Sequence, residues 1–321
     1  MIQRAVDCND MTLFDAFEEY ILEKEAQNLS KRSIEEYRYT WRIFVRDMQV
    51  TEYVLCDDID ITVINRFIRN LKRRGVENPV TINHYLTDIR TFLYWCMNKE
   101  RCYITNEFSI KLLKEQELPP KHYTDDELKR LLVKPAPSRP YGEWRSWAVV
   151  NFILGTGARA STVCGIKMGD LDFNRKEIMC GHTKNRKALI LPMSSSLEIA
   201  LKDYIRIWRR TAKADDYLFI GRYGQQLTAQ NLWCGTKRYF KIRDVEKTTL
   251  HGLRHSFAIG WVRNNGNMFA LQKILGHSEL EMTRRYVKLF AEDYKDNFEM
   301  YNPLDTLKIP SRAQNSVKRS N

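Results

Sequence analysis

Four stretches before residue 113 repeat apolar side chains at helical spacing, and the pattern then stops ahead of a double proline, Pro119-Pro120. Nothing else in the chain limits its fold as tightly. The first stretch opens at Thr12 and carries Leu13, Phe14, Phe17, Tyr20 and Ile21 on one face. The second follows Ser30, a residue type that caps helix starts, and places Ile34, Tyr37, Trp41, Phe44 and Met48 in one stripe. The third runs from near Val63 to Arg74, with Ile64, Phe67, Ile68 and Leu71 aligned, and ends at Gly75. The fourth starts near Thr81 and carries Ile82, Tyr85, Leu86, Ile89, Phe92, Leu93 and Cys96. Aromatic stripes at this spacing are core, so a helical domain is expected over residues 1–113.

Residues 114–123 have no apolar period and contain the prolines, which reads as a linker. Thr124-Asp125-Asp126-Glu127 then opens a new helix, with carboxylates in the first turn where the helix dipole favours them. From there to about residue 300 the pattern is mixed. An apolar helix from Trp147 to Leu154 ends in the small-residue turn Gly155-Thr156-Gly157-Ala158-Arg159-Ala160-Ser161. Glu177-Ile178-Met179-Cys180 and Ala188-Leu189-Ile190-Leu191-Pro192, separated by a polar turn, read as two strands. Residues 301–321 hold two prolines and several cations and read as a partly extended tail. The expected fold is mainly α with a small β-sheet, in two domains, which suits a length of 321 residues.

Lys and Arg outnumber Asp and Glu by 52 to 40, a net charge of +12, which favours a polyanionic partner, nucleic acid first. Lys31, Arg32, Arg38, Arg42, Lys72, Arg73, Arg74 and Arg90 place cations on the polar sides of several N-terminal helices. A single such helix is more often a solvated face than a ligand surface. The seven cysteines include no CxxC pair, the simplest reading being reduced thiols in a cytosolic protein. The start of the chain has no apolar signal core, and no apolar run approaches membrane-spanning length.

The chemistry is concentrated near the C-terminus. His251 and Arg254 sit one helical turn apart, His277 follows Leu275-Gly276, and Tyr286 comes nine residues later. A tyrosine hydroxyl, with a pKa of about 10, is a poor nucleophile until a base takes its proton and cations hold the group it attacks. An arginine fork suits the non-bridging oxygens of a phosphodiester. Each piece also has a plainer reading. Arg159 follows what looks like an ordinary helix C-cap, Lys184 sits in a hairpin turn where lysines are solvated, and His277 fits a core or turn position. Tyr286 competes with Tyr294 and Tyr301 among sixteen tyrosines. His251 and His255 are four apart, but Gly252 stands where a zinc peptidase needs its glutamate, so no metal site is expected and His255 reads as a packing or capping residue.

Taken together these motifs resemble the tyrosine recombinase (phage integrase) family, over nearly the whole chain. Gly-x-Arg-x-Ser matches at Arg159 and is followed by Gly169-Asp170-Leu171-Asp172-Phe173. The hairpin lysine matches at Lys184, eight residues before Pro192. His-x-Leu-Arg-His-Ser-Phe-Ala matches at His251 to Ala258, Leu-Gly-His-Ser at Leu275 to Ser278, and the tyrosine falls in register at Tyr286. One position departs: the family's usual acidic residue, three after the first arginine, is Thr162 here.

The resemblance implies an N-terminal core-binding domain and a catalytic domain over residues 124–300, closing as a clamp on double-stranded DNA. It implies that Tyr286 attacks the scissile phosphate to give a 3′-phosphotyrosyl link, with His251 as base, Lys184 as acid for the 5′-oxygen, Arg159 and Arg254 on the non-bridging oxygens, and His277 bonding the phosphate or positioning the tyrosine. No metal, ATP or other cofactor is implied. Arg186 and Lys187 join the N-terminal cations as expected DNA contacts. The implied partners are DNA, further copies of the chain in a tetramer on paired sites with residues 291–300 and the tail docking into a neighbour, and an accessory DNA-bending protein. No membrane is involved, and the location implied is cytoplasmic, on the nucleoid. The chain starts almost at the core-binding helices, which suggests a two-domain, Xer-like member without an arm-site domain. Competing readings are a type IB topoisomerase-like relaxing enzyme and a DNA-binding regulator without catalysis.

Overall fold

The computed structural model describes residues 10–116, 121–181 and 189–276. The chain divides into two compact units, Met1–Glu117 and Leu118–Asn321.

The first unit is built from α1 (Leu13–Ala26), α2 (Lys31–Met48), α3 (Ile61–Arg73) and α4 (Pro79–Cys96). Each start is set by a side-chain cap. Thr12 accepts from the backbone N–H of Asp15, Ser30 from that of Ser33, Asp60 from those of Thr62 and Val63, and Asn78 from that of Val80. The sequence placed the starts of α3 and α4 two residues late, because Asp60 and Asn78 precede residues that lie outside the apolar stripe. The stripes meet in one core, in which α2 packs against α3 and α4, and α1 against α4. Phe17 stacks on Trp41 with ring centroids 4.4 Å apart, and Phe44 meets Phe67 edge-on at 5.1 Å. Burial of one such ring contributes about 1.5–3 kcal/mol, so the four stripes hold the unit together.

The second unit surrounds α6 (Tyr141–Thr156), which is buried on several sides by residues such as Trp144, Trp147, Val149, Val150 and Phe152. A helix that is apolar around much of its circumference belongs in the middle of a domain. Packed on α6 are α5 (Asp125–Leu132), α7 (Ala160–Gly165), α8 (Ser195–Trp208), α9 (Ala229–Ile242) and α10 (Leu250–Arg263), while α11 (Met268–Leu275) packs on α10. The start of α5 is a reciprocal cap: Thr124 accepts from the backbone of Glu127, and Glu127 accepts from that of Thr124. α6 begins six residues before the expected Trp147. Its first turns contain Glu143 and Arg145, and Glu143 is buried because Arg139 and Arg243 neutralise it at 3.1 and 3.3 Å.

The sheet has three antiparallel strands in the order β1 (Leu171–Asp172), β2 (Glu177–Cys180), β3 (Leu189–Pro192). Cys180 pairs with Leu189, so residues 181–188 form the connection that carries Lys184 in the sequence. β1 went unseen because two residues show no alternation. Tyr123, grouped with the linker on composition, is in fact a core residue of this unit, 2% exposed. The expected helix over residues 291–300 and the tail lie outside the described residues.

Candidate active site

Two helix ends build the site. α6 stops at Gly157, which has φ +67°, and α11 stops at Gly276, which has φ +60°. Both are left-handed caps of the kind glycine supplies. At Gly157 space forbids a side chain as well: a Cβ would lie 2.5 Å from Phe257 Cδ1 and 2.8 Å from Leu275 Cδ2.

The last carbonyls of a helix have no partner within it and carry partial negative charge. Here they hold the two arginines. Arg254 on α10, only 3% exposed, donates from Nη1 to the Gly157 carbonyl at 2.7 Å and from Nη2 to the Leu275 carbonyl at 2.8 Å. Arg159, the half-buried N-cap of α7, donates from Nη2 to the Gly276 carbonyl at 3.4 Å. Neighbouring carbonyls of one helix end thus draw together two arginines from distant parts of the chain. The plain reading of the Arg159 turn was half right: Gly157 is a helix C-cap, but the arginine is not simply a solvent-exposed one.

His251 lies one turn before Arg254 and is solvent-exposed at the start of α10. Its ring stands edge-on to that of His255 with centroids 4.6 Å apart. Its pKa is nevertheless pushed below the ordinary histidine value of 6.5, first by the surrounding protein and then by the positive charges of Arg254 and Arg159. Solvent reaches the ring while the arginines lie close behind it. The result favours the neutral imidazole, which can take a proton. A cavity of about 570 Å³ opens beside His251, lined among others by Lys121, Tyr123, Trp233, Lys247 and His255. Among the described residues, no group of three or more His, Cys, Asp or Glu side chains is placed to hold a metal ion.

Lys184, Arg186, Lys187, His277 and Tyr286 lie outside the described residues. Thr162, at the position usually acidic, lines a separate cavity with Ser161, Lys167, Asp170 and Cys180.

The expected DNA contacts of the first unit differ in their surroundings. Lys31 and Arg32 are exposed in the first turn of α2, and Arg32 pairs with Glu36 at 3.2 Å. Arg38 makes a two-pronged pair with Glu18 at 2.8 and 3.0 Å. Arg74 does the same with Asp47 at 2.7 and 2.9 Å. Lys72 and Arg73 are exposed at the end of α3, and Arg90 on α4 is half-buried. Arg42 and Arg74 line a cavity of about 360 Å³ with Tyr39, Tyr85 and Arg46. Arg46 was not singled out in the sequence, although its spacing of four from Arg42 puts both on one helix face.

Comparison with known proteins agrees with this geometry. Residues 121–293 match the Phage integrase family. The tyrosine recombinase XerD of Listeria monocytogenes serovar 1/2a is 27% identical over 283 residues, 86% of this chain and 94% of the relative. The tyrosine recombinase XerC of Listeria innocua serovar 6a is 27% identical over 269 residues, 82% of this chain and 88% of the relative. The fold matches that of the Tn1549 transposon integrase in complex with circular intermediate DNA, with TM-score 0.71, 22% identity, and 86% of this chain and 95% of that one covered. It also matches XerH site-specific recombinase bound to palindromic difH substrate, with TM-score 0.67, 20% identity, and 85% and 82% covered. These findings lend no support to a relaxing enzyme or an inactive regulator. The family match over most of the second unit, with these relatives, establishes that this chain belongs to the phage integrase family and is a tyrosine recombinase, a site-specific DNA recombinase.

Proposed function

We propose that the chain cuts and rejoins double-stranded DNA through Tyr286, without metal or ATP. The observation that carries this reading is the convergence of Arg159 and Arg254 on the carbonyls at the end of α11, one turn from His251. Two fixed guanidinium groups suit the non-bridging oxygens of a phosphodiester, where negative charge grows as a fifth oxygen approaches phosphorus. Removing one such preorganised donor typically costs about 10²–10³ in rate.

In the proposed step the Tyr286 oxygen bonds to phosphorus as its proton passes to His251. The bond to the 5′-oxygen breaks, and that oxygen takes a proton from Lys184. His277 bonds the phosphate or positions the tyrosine. The product is a 3′-phosphotyrosyl link and a free 5′-hydroxyl. The link keeps the phosphate in a diester, so a 5′-hydroxyl from another strand reverses the step and no nucleotide is consumed. Residues 1–113 serve as the core-binding domain and residues 124–300 as the catalytic domain. Lys31, Arg32, Arg42, Lys72, Arg73, Arg90, Arg186 and Lys187 are proposed DNA contacts, with Arg38 and Arg74 available once their carboxylates let go. Exchange of four strands calls for a tetramer on two sites, and an accessory DNA-bending protein fits that assembly. No helix of the described residues is long and apolar enough to cross a membrane, and the proposed location is the cytoplasm, on the nucleoid.

Tyr286→Phe tests the nucleophile. The variant should bind site DNA as the wild type does and form no covalent adduct on a suicide substrate, read on a denaturing gel. Adduct from Tyr286→Phe together with none from Tyr294→Phe would move the nucleophile to Tyr294.

A further inference from the structure

Thr249 precedes α10 but makes no side-chain bond to cap it. The buried phenol of Tyr123 is there instead. Its hydroxyl accepts from the Thr249 N–H at 2.9 Å and donates to the Thr249 carbonyl at 2.9 Å, with the Lys247 carbonyl at 3.3 Å. Its backbone N–H donates to Ser256 Oγ, in the second turn of α10, at 2.9 Å. Its ring stacks on Phe240, centroids 5.7 Å apart, and lies under Gly252, where a Cβ would come within 2.9 Å of Tyr123 Cε2. One residue thus fixes positions 249, 252 and 256, which bracket both His251 and Arg254. The adjoining chain is tied down too, since Lys247 donates to Glu127 at 3.1 Å and to the His122 carbonyl at 3.2 Å.

Burial raises the Tyr123 pKa far above that of a free phenol. The hydroxyl therefore stays protonated and serves as the donor to the Thr249 carbonyl.

We propose that Tyr123 is a positioning residue for the cleavage step: its hydroxyl ties down the Thr249 peptide just ahead of α10 and sets the angle at which His251 meets the nucleophile. The inference rests on the reading of His251 as the base. Small displacements of a positioned group are costly to a reaction even where binding is untouched. Among the described residues, the charged and titratable groups around His251 are Arg254, His255 and Arg159, with Lys121, His122 and Lys247 on the shared cavity.

Tyr123→Phe keeps the ring and removes only the hydroxyl. Single-turnover cleavage of a suicide DNA substrate at saturating enzyme should slow by roughly tenfold, with the Kd for the same DNA unchanged. The acid limb of the pH–rate profile should move toward the ordinary histidine value as His251 loses its fixed surroundings. A wild-type rate and profile from folded Tyr123→Phe overturns the proposal. If that variant does not fold at the assay temperature, Ser256→Ala cuts the tie at the other end and keeps the hydroxyl. It should slow cleavage in the same sense, and a wild-type rate from it is equally fatal. His251→Ala, run in parallel, separates the two claims. If His251→Ala cleaves like the wild type, the base assignment falls and the positioning role with it. If it is slow while Tyr123→Phe is fast, the positioning role alone is lost.

Discussion

Two pairs of arginines, one pair in each unit, are held in different ways. In the helical unit Arg38 and Arg74 grip carboxylates, Glu18 and Asp47, through two prongs each. In the second unit the bonds of Arg254 run to the carbonyls of Gly157 and Leu275, and that of Arg159 to the carbonyl of Gly276. A carboxylate fixes a guanidinium and cancels its charge. A carbonyl fixes it and leaves the charge in place, because the partner is only a dipole. The pKa of His251 is lowered first by burial and then by the charges of Arg254 and Arg159. The contrast is between a full opposing charge and a helix-end dipole as the group that fixes a guanidinium.

The largest effect expected from this contrast is on cleavage. Arg254→Ala should lower single-turnover cleavage by about 10²–10³-fold or more, whereas Arg38→Ala, whose charge is already met by Glu18, should leave it within a few-fold. A comparable loss from both variants would break the distinction between carbonyl-held and carboxylate-held arginines.

Two glycines sharpen the comparison through stability. Gly157 and Gly75 both have positive φ, +67° and +84°, but an added Cβ at Gly157 meets Phe257 and Leu275, while at Gly75 it meets nothing within 4 Å. Gly75→Ala should cost only the backbone strain, about 1–2 kcal/mol. Gly157→Ala adds overpacking and should cost about 2–4 kcal/mol, seen as a lower midpoint in thermal melts. It should also impair cleavage, because it shifts the carbonyl that holds Arg254. Equal melting shifts for the two would show that the contact with Phe257 relaxes freely.

The state of His251 gives a third measurement. Its folded pKa lies below the ordinary value of 6.5. Cleavage should therefore hold as pH falls past that value and decline only through the lower folded pKa, as the base takes up a proton. The same direction governs stability. The unfolded chain binds the proton more readily, so the neutral ring's contribution is complete above pH 6.5 and is lost as pH falls through the folded pKa. NMR titration of His251 in Arg159→Gln should show the pKa rising toward 6.5, since one of the lowering charges is gone. An unmoved titration would mean that the Gly276 carbonyl does quench the arginine.

The smallest effect belongs to the helical unit. A double-mutant cycle on Arg38 and Glu18 should give a coupling of about 0.2–1 kcal/mol, because both side chains are partly exposed, and added salt should weaken it. A coupling several times larger would make the pair a structural anchor and remove Arg38 from the proposed DNA contacts.

Most of the helical unit was legible because a helix is a local object. Thr12, Ser30 and the Thr124–Glu127 pair announce their helices by residue type, and the stripes of α1 to α4 repeat within a few residues. Legibility failed where a distant partner changes the meaning of a residue. Glu143 and Arg145 looked too polar for the start of a buried helix, until Arg139 and Arg243 neutralise the former and the carbonyl of Ile220 accepts from the latter at 2.8 Å. Tyr123 looked like linker because its partners, Phe240, Thr249 and Ser256, all come more than a hundred residues later. Lys184, His277 and Tyr286 were picked out through the resemblance to the family's motifs.

The sequence by itself determined the four helices of the first unit, the capped start of α5, and which side chains with phosphate chemistry stand in register with a known family. The tertiary structure alone decided that Arg159 and Arg254 meet, and that they meet over carbonyls. Gly157 and Arg254 are 97 residues apart, and Arg159 and Gly276 117. No local period reports such a pairing. It depends on α6 and α11 ending side by side, which the packing of Phe257 and Leu275 against Gly157 makes possible. Helix periodicity is fixed by backbone geometry within a few residues, but the charge a buried arginine keeps is fixed by whichever partner the folded chain brings to it.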